Sequence, residues 1–515
     1  MVEALELAST PPARLSLNDS FIDNVFFRRL ICDTLLPLFF HNYMQLFLNC
    51  NFERLVVILY SSKNLSVHSA FRNIVLGLTV SLCIQSAASA GFIRDAEIEQ
   101  LLQDYSDPLF MAAGLKPDNI GIGIIADNRI NAFVTNGQNI FFHTGLITEA
   151  DTPNMVIGVI AHEIGHITGG HLARSRNAMN KTKTPFLVAT ILGLGSLMAG
   201  SPDLGMALMM GGQQVARQSY LTHSRSQEAS ADQAALQLLE RSKQSPKGII
   251  KLMNELASQE ILSEASQDPY VRSHPMSRDR VNAYMSAAET SPYFSETDSA
   301  DLQFRHELAK AKLFGFIDHP TTTRRRFKET DVSATARYAR AIAYHKEAQT
   351  DKSVALIETL ISEFPDNPWF REFKGQALFE GGRAKDAIQP YRDSLALQPD
   401  EPLLMIGLAA CLVAEDQNNL QQKLTPEAIR LLRQALRNDK ENLTAYMQLS
   451  RAYGQMEKIG LAEWALAEYY ALSENPQAQT HAKRAIKILP VGSPELMRSQ
   501  DISAQVFEPI NPKRR

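Results

Sequence analysis

MVIGVIAHEIGHITGGHLA, residues 155–173, sets an apolar run ahead of two histidines spaced i, i+4. That pattern predicts a buried helix with both imidazoles, His162 and His166, on one face and within reach of a single metal ion. Glu163 follows the first histidine, where a carboxylate can take a proton from a water at that metal. A glutamate and two histidines inside an almost charge-free segment are costly to bury unless they are paired or hold a metal. The expectation is one zinc ion per chain, with Gly169-Gly170 breaking the helix just beyond it.

Catalytic zinc takes three protein ligands and keeps one position open. Two residues compete for the third place. His171 is near in sequence, but the extended pattern HExxHxxGxxH needs histidine at 172, where Leu172 stands, and a one-residue displacement re-aims the side chain. Glu228 lies 62 residues after His166 in SRSQEASADQAALQLLE (224–240), whose alanines and leucines mark the buried side of an amphipathic helix. It shares a face with Asp232, i and i+4, as the two histidines do. Asp232 is a candidate for orienting a histidine ligand or for proton transfer. Between the two ligand segments, Gly193–Gly212 holds six glycines and four methionines, which reads as an apolar lid, a membrane-touching segment or a buried helix pair broken at Pro202.

The chain around these motifs has 515 residues, 45% apolar and 21% charged, enough for roughly two to four domains with ordinary cores. Near-average glycine and proline exclude collagen-like and low-complexity classes. A formal charge of −4 with no long basic run excludes nucleic acid as the main partner. A mean hydropathy of −0.17 excludes a polytopic membrane protein. One hydrophobic segment remains: NIVLGLTVSLCIQSAASAG (73–91), with Lys63 and Arg72 before it and Ala88-Ser89-Ala90 at its end. This reads as a signal peptide (63–90) cleaved after Ala90, because its apolar part is shorter than the ~20 residues that span a bilayer. Residues 1–62 then read as a misplaced start or a dispensable extension. Cys32, Cys50 and Cys83 precede the cut, which leaves Cys411 alone in an apolar stretch, a buried packing residue with no disulfide partner.

After residue 91 the grammar changes once, near TTTRRRFKETDVS, giving a domain over 91–321, a linker at 322–333, repeats over 334–490 and a tail at 491–515. In the first domain, GIGIIAD (121–127) and QNIFFHTGLI (138–147) predict a hairpin or small sheet amid helices. In the second part, Pro365 and Pro399 stand 34 residues apart, and Gly375, Ala387, Tyr391 and Pro399 fall at the small, small, aromatic and proline positions of a tetratricopeptide (TPR) unit. The unit before it has Ala341 and Tyr344, with Ser353 in place of the usual alanine. Ala409–Lys440 fits with a loop insertion at EDQNNLQQKL; Ser450, Tyr453 and Ala462 mark a fourth unit, and Ala478–Leu489 a cap. The fold class is therefore an α+β metallopeptidase domain, mainly helical with a small β-sheet, followed by an all-α TPR solenoid. Its concave face is expected to bind a protein partner.

HEIGH at 162–166, Glu228-x-x-Ala-Asp232 and Ser273-His274-Pro275 with Arg278 and Arg280 together resemble the gluzincin family that contains the heat-shock membrane protease and the CaaX prenyl protease. Asn131-Ala132-Phe133, followed by Gly137 and Gly145-Leu146, resembles the strand that flanks the cleft in that family. The resemblance implies zinc ligands His162, His166 and Glu228, the base Glu163, and Asp232 as the second acidic site, often assigned as a proton donor. It implies that His274 either stabilises the oxyanion or caps the zinc. With the export segment and the repeats, it points to a periplasmic endopeptidase acting on misfolded or stalled envelope and outer-membrane proteins, with peripheral membrane contact. The contrasting class is a non-catalytic TPR chaperone or assembly scaffold with a structural metal, against which the presence of Glu163 argues.

Overall fold

The computed structural model describes residues 91–135, 139–171, 224–261, 266–419 and 423–507. Residues 1–62, the export segment 63–90 and the Gly/Met-rich segment 193–212 lie outside the described residues. Among the described residues no helix is long and apolar enough to cross a membrane.

The first domain builds a four-stranded sheet in the order β1 (Phe92–Ile93), β2 (Ile122–Ile125), β4 (Asn139–His143), β3 (Ala132–Thr135). Stretches 121–127 and 138–147 do lie side by side, but parallel, with Ile122 opposite Ile140 and Ile125 opposite His143. The hairpin is β3–β4, antiparallel, because the short strand AFVT intervenes in sequence and takes the sheet edge. Ile124, Ile140, Phe142 and Ala132 face inward and are fully buried. They meet α1 (Ala96–Ala112), which is capped by the Asp95 carboxylate accepting from the Ile98 amide.

After α2 (Thr144–Glu149) comes the helix read from the opening motif, α3 (Pro153–Thr168). Pro153 suits its first turn, where the missing N–H is not needed. Val156, Ile157, Val159 and Ile160 are at most 1% exposed, each worth about 1.5–3 kcal/mol of apolar burial. α4 (224–241) and α5 (Lys247–Ala257) pack on α3, followed by α6 (Pro269–Ser273) and α7 (Arg278–Ala288). A side chain at Gly165 would come within 2.7 Å of the Ala231 carbonyl, so α3 and α4 touch backbone to backbone at that point.

α8 (Ala300–Ile317) belongs to both halves. Ala309 and Leu313 join the core of the first domain, while Leu308 joins that of the helical array. Three of its side chains also grip the turn into α3: Gln303 donates to the Asp151 carbonyl (3.1 Å), and Lys310 (2.8 Å) and His306 (2.9 Å) reach that of Ala150. Lys312, with 2% of its side chain exposed, lies 2.8 Å from Asp95, 3.2 Å from Glu97 and 3.5 Å from Glu372. Tyr338 donates to Glu97 from the array side at 3.0 Å.

Within 322–333, residues to Arg326 complete a short helix, α9 (Pro320–Arg326). The array then runs as helical hairpins: α10 (Ala334–Lys346) with α11 (Thr350–Glu363), α12 (Pro368–Glu380) with α13 (Ala384–Leu397), α14 (Pro402–Asn419) with α15 (Thr425–Asn438), and α16 (Leu443–Gln455) with α17 (Ile459–Leu472). α18 (Gln477–Ile486) and α19 (Pro494–Ala504) close it. α10, α12 and α14 begin 34 residues apart. The Tyr391 ring fills the space left by Gly375 and Gly407, where an added Cβ would meet it at 2.6 and 2.5 Å. EDQNNLQQKL is only partly a loop: residues to Asn419 prolong α14, and the buried Asp416 caps α15 by accepting from the Leu424 and Thr425 amides, both at 2.6 Å. Cys411 is buried and its thiol is pushed up to about 12 by burial, so it is inert packing.

Candidate active site and metal centre

The backbone contact at Gly165 sets Glu228 against the α3 histidines. The Nε2 atoms of His162 and His166 are 3.0 Å apart. Glu228 Oε2 lies 3.3 Å from His162 Nε2, and Oε1 lies 3.4 Å from His166 Nε2. His274, from the turn after α6, brings Nδ1 to 3.2 Å from His162 Nε2 and 3.0 Å from Glu228 Oε2. One ligand atom from each of these four residues falls within 4.8 Å of all the others. Two imidazole lone pairs and a carboxylate aimed at one point repel each other unless a cation lies between them, and N₂O donors at this spacing suit zinc. This donor set fits a metal ion.

The two imidazoles differ in their electrostatics. Burial opposes charge on His162, yet Asp232 and Glu228 outweigh it and hold the ring up to about 9, so a metal ion at Nε2 would have to displace a proton. Burial, reinforced by positive charge on His162 and His274, pushes His166 down to about 2, leaving it neutral as a ligand must be. Glu228 resists burial, because His274 and His162 keep its carboxyl well below the usual range. Glu163 is 1% exposed, burial raises its carboxyl, and Oε1 has no hydrogen-bond partner. It points toward His274 Nε2, 3.5 Å away.

Asp232, expected in a catalytic position, lies behind His162 rather than beside the convergence point. Its Oδ1 is 3.0 Å from His162 Nδ1, and Arg280 binds it bidentately at 2.7 and 2.8 Å. Burial raises its carboxyl, but Arg280 and His162 override this and hold it near 2, so it stays ionised. Arg280 also reaches Glu228 Oε2 at 3.0 Å, whereas Arg278 is exposed. His171, the other candidate ligand, is buried but sits on the opposite side of His166, with its Nδ1 2.9 Å from His166 Nδ1. Tyr270 carried no signal in the sequence; it is buried against the His274 ring, centroid to centroid 4.6 Å.

The fold and this centre define a metallopeptidase. Residues 93–288 match Peptidase family M48. Over 337 residues it is 26% identical to the Beta-barrel assembly-enhancing protease of Yersinia pestis, covering 64% of this chain and 68% of that one. The protein of the same name from Escherichia coli (strain K12) is 25% identical over 401 residues, 76% and 78% of the two chains. A Putative beta-barrel assembly-enhancing protease of Vibrio cholerae is 25% identical over 391 residues, 74% and 78%.

Proposed function

We propose that the chain is an exported zinc endopeptidase of the bacterial envelope that degrades misfolded or stalled outer-membrane proteins and assists their assembly. The observation that carries the reaction is the convergence of His162, His166 and Glu228 with a buried Glu163 oxygen that makes no hydrogen bond beside them. His162 and His166 would hold zinc through Nε2 and Glu228 through its carboxylate. When bound, the dication supplies Lewis acidity for the scissile carbonyl and the attacking water. Glu163 takes the water's proton and returns it to the leaving amine; its raised affinity for protons suits that shuttle. Asp232, fixed by Arg280, keeps His162 in one orientation. His274 Nδ1 lies 3.2 Å from His162 Nε2 and 3.0 Å from Glu228 Oε2, so it would either join these residues around the ion or swing aside to face the oxyanion.

The relatives' printed name supports the substrate class. The 34-residue pitch and the Tyr391 packing support reading 334–490 as TPR units that hold a protein partner or substrate. The signal-like segment before Gly91 supports a periplasmic location. Purified protein should carry about one zinc per chain, and Glu228→Ala should lose it. Glu163→Gln should keep zinc and fold while proteolysis falls by at least about 10²–10⁴-fold. Cleavage at the wild-type rate by that variant would sink the mechanism, and folded wild type that takes up no zinc would favour the scaffold.

A further inference from the structure

The HITGGH segment (166–171) contains two glycines with different jobs. Gly170 has φ +60 and supplies the left-handed turn that ends α3. Gly169 has φ −69 and ψ −13, ordinary helical values at which alanine is the better residue. Space is what excludes a side chain at 169: an added Cβ would lie 2.3 Å from His171 Nε2 and 2.7 Å from its Cδ2. The missing methyl is therefore occupied by the His171 ring.

That ring is directed at the back of a ligand. His171 Nδ1 is 2.9 Å from His166 Nδ1, the rings are nearly perpendicular at 78°, and His171 is 3% exposed. Its carbonyl accepts from Gln227 Nε2 at 3.1 Å, so the neighbour of Glu228 in sequence also anchors His171. A neutral imidazole has one ring proton. If His166 offers the Nε2 lone pair to a metal, its proton is on Nδ1 and must be donated, and His171 Nδ1 is the atom there to accept it. Behind His162 the facing group is the Asp232 carboxylate, 3.0 Å from Nδ1; behind His166 it is a second histidine.

We infer that His171 is a positioning residue for the metal centre, fixing the tautomer and aim of His166, and that Gly169 is required to make room for it. The inference rests on His166 being a zinc ligand, as proposed above.

Zinc affinity by chelator competition, measured on the full chain beside the melting temperature of the metal-free protein, tests both statements. His171→Ala should weaken zinc binding about 10–100-fold, and His171→Asn, whose Oδ1 can stand where Nδ1 stood, should restore most of it. Gly169→Ala should weaken zinc binding as His171→Ala does while leaving metal-free stability equal or higher. The double variant should be no worse than either single one. Wild-type affinity in His171→Ala, or equal loss in His171→Ala and His171→Asn, overturns the role of His171. Wild-type affinity in Gly169→Ala overturns the role of Gly169. If the wild type binds no zinc, or His166→Ala binds it like the wild type, the ligand assignment falls and this inference with it.

Discussion

Both halves of the molecule bury polar groups, and they do so to opposite ends. In the array, buried Ser353 donates to the Ala341 carbonyl, Ser394 to that of Pro368, and Asp416 caps a helix, so each of these three finds its partner nearby. In the peptidase domain, His162, Glu228 and His274 are equally buried but turn toward one another around a point, and Glu163 Oε1, 3.5 Å from His274 Nε2, makes no hydrogen bond. Satisfied polar groups specify a shape. Convergent, incompletely satisfied ones specify a ligand and a reaction.

Substituting the glycines at close contacts in the two halves sharpens the contrast. Gly165→Ala places a methyl against the Ala231 backbone, which cannot swing aside, so α4 must shift with Glu228 and Asp232. Zinc should be lost and kcat/KM should drop by ~100-fold or more, along with about 1–3 kcal/mol of stability in denaturant titration. Gly375→Ala meets only the Tyr391 ring, and should cost a similar 1–3 kcal/mol with zinc content and activity unchanged. A zinc defect in Gly375→Ala, or none in Gly165→Ala, would break the distinction.

The junction should respond to pH. Three carboxylates face Lys312, and burial lifts Glu372 to about 7 despite that lysine, with Asp95 and Glu97 adding to the rise. A carboxyl raised above its ordinary 4.5 stabilises the fold while protonated. That stability is complete below pH 4.5 and is lost as pH rises through 7. One-fifth of the Glu372 side chain is exposed, which trims the effect to about 1–2 kcal/mol. Glu372→Gln should flatten that part of the pH–stability curve, and an unchanged slope would count against the junction. Smallest of all, Ser353→Ala removes the hydroxyl that donates to the Ala341 carbonyl and should move stability by no more than about 1 kcal/mol.

What the sequence displayed follows the range of the forces involved. His162 with His166, and Glu228 with Asp232, are helical neighbours, so one face could be read from spacing alone. For Asp232 spacing left two readings, orienting a histidine or moving a proton, because Arg280, which holds it ionised, arrives from 48 positions away. His171 looked like a ligand out of register, and only the ring-to-ring contact shows which side of His166 it occupies. The strands were visible in their Ile and Phe content, but the parallel pairing of β2 with β4 depends on where the unobtrusive AFVT goes. Lys312 reads as an ordinary solvated lysine in ADLQFRHELAKAKLFGFI; its burial comes from a second domain packing over it.

α8 separates two notions of modularity. The match to Peptidase family M48 ends at residue 288, yet the turn that launches α3 is held by Gln303, His306 and Lys310, all beyond that limit. A gene fusion made at residue 288 would keep the matched segment whole and sever its mechanical support. A recombinant exchange of one array for another would have to carry residues 300–317 with the peptidase, cut after them, and supply a new acid for Lys312.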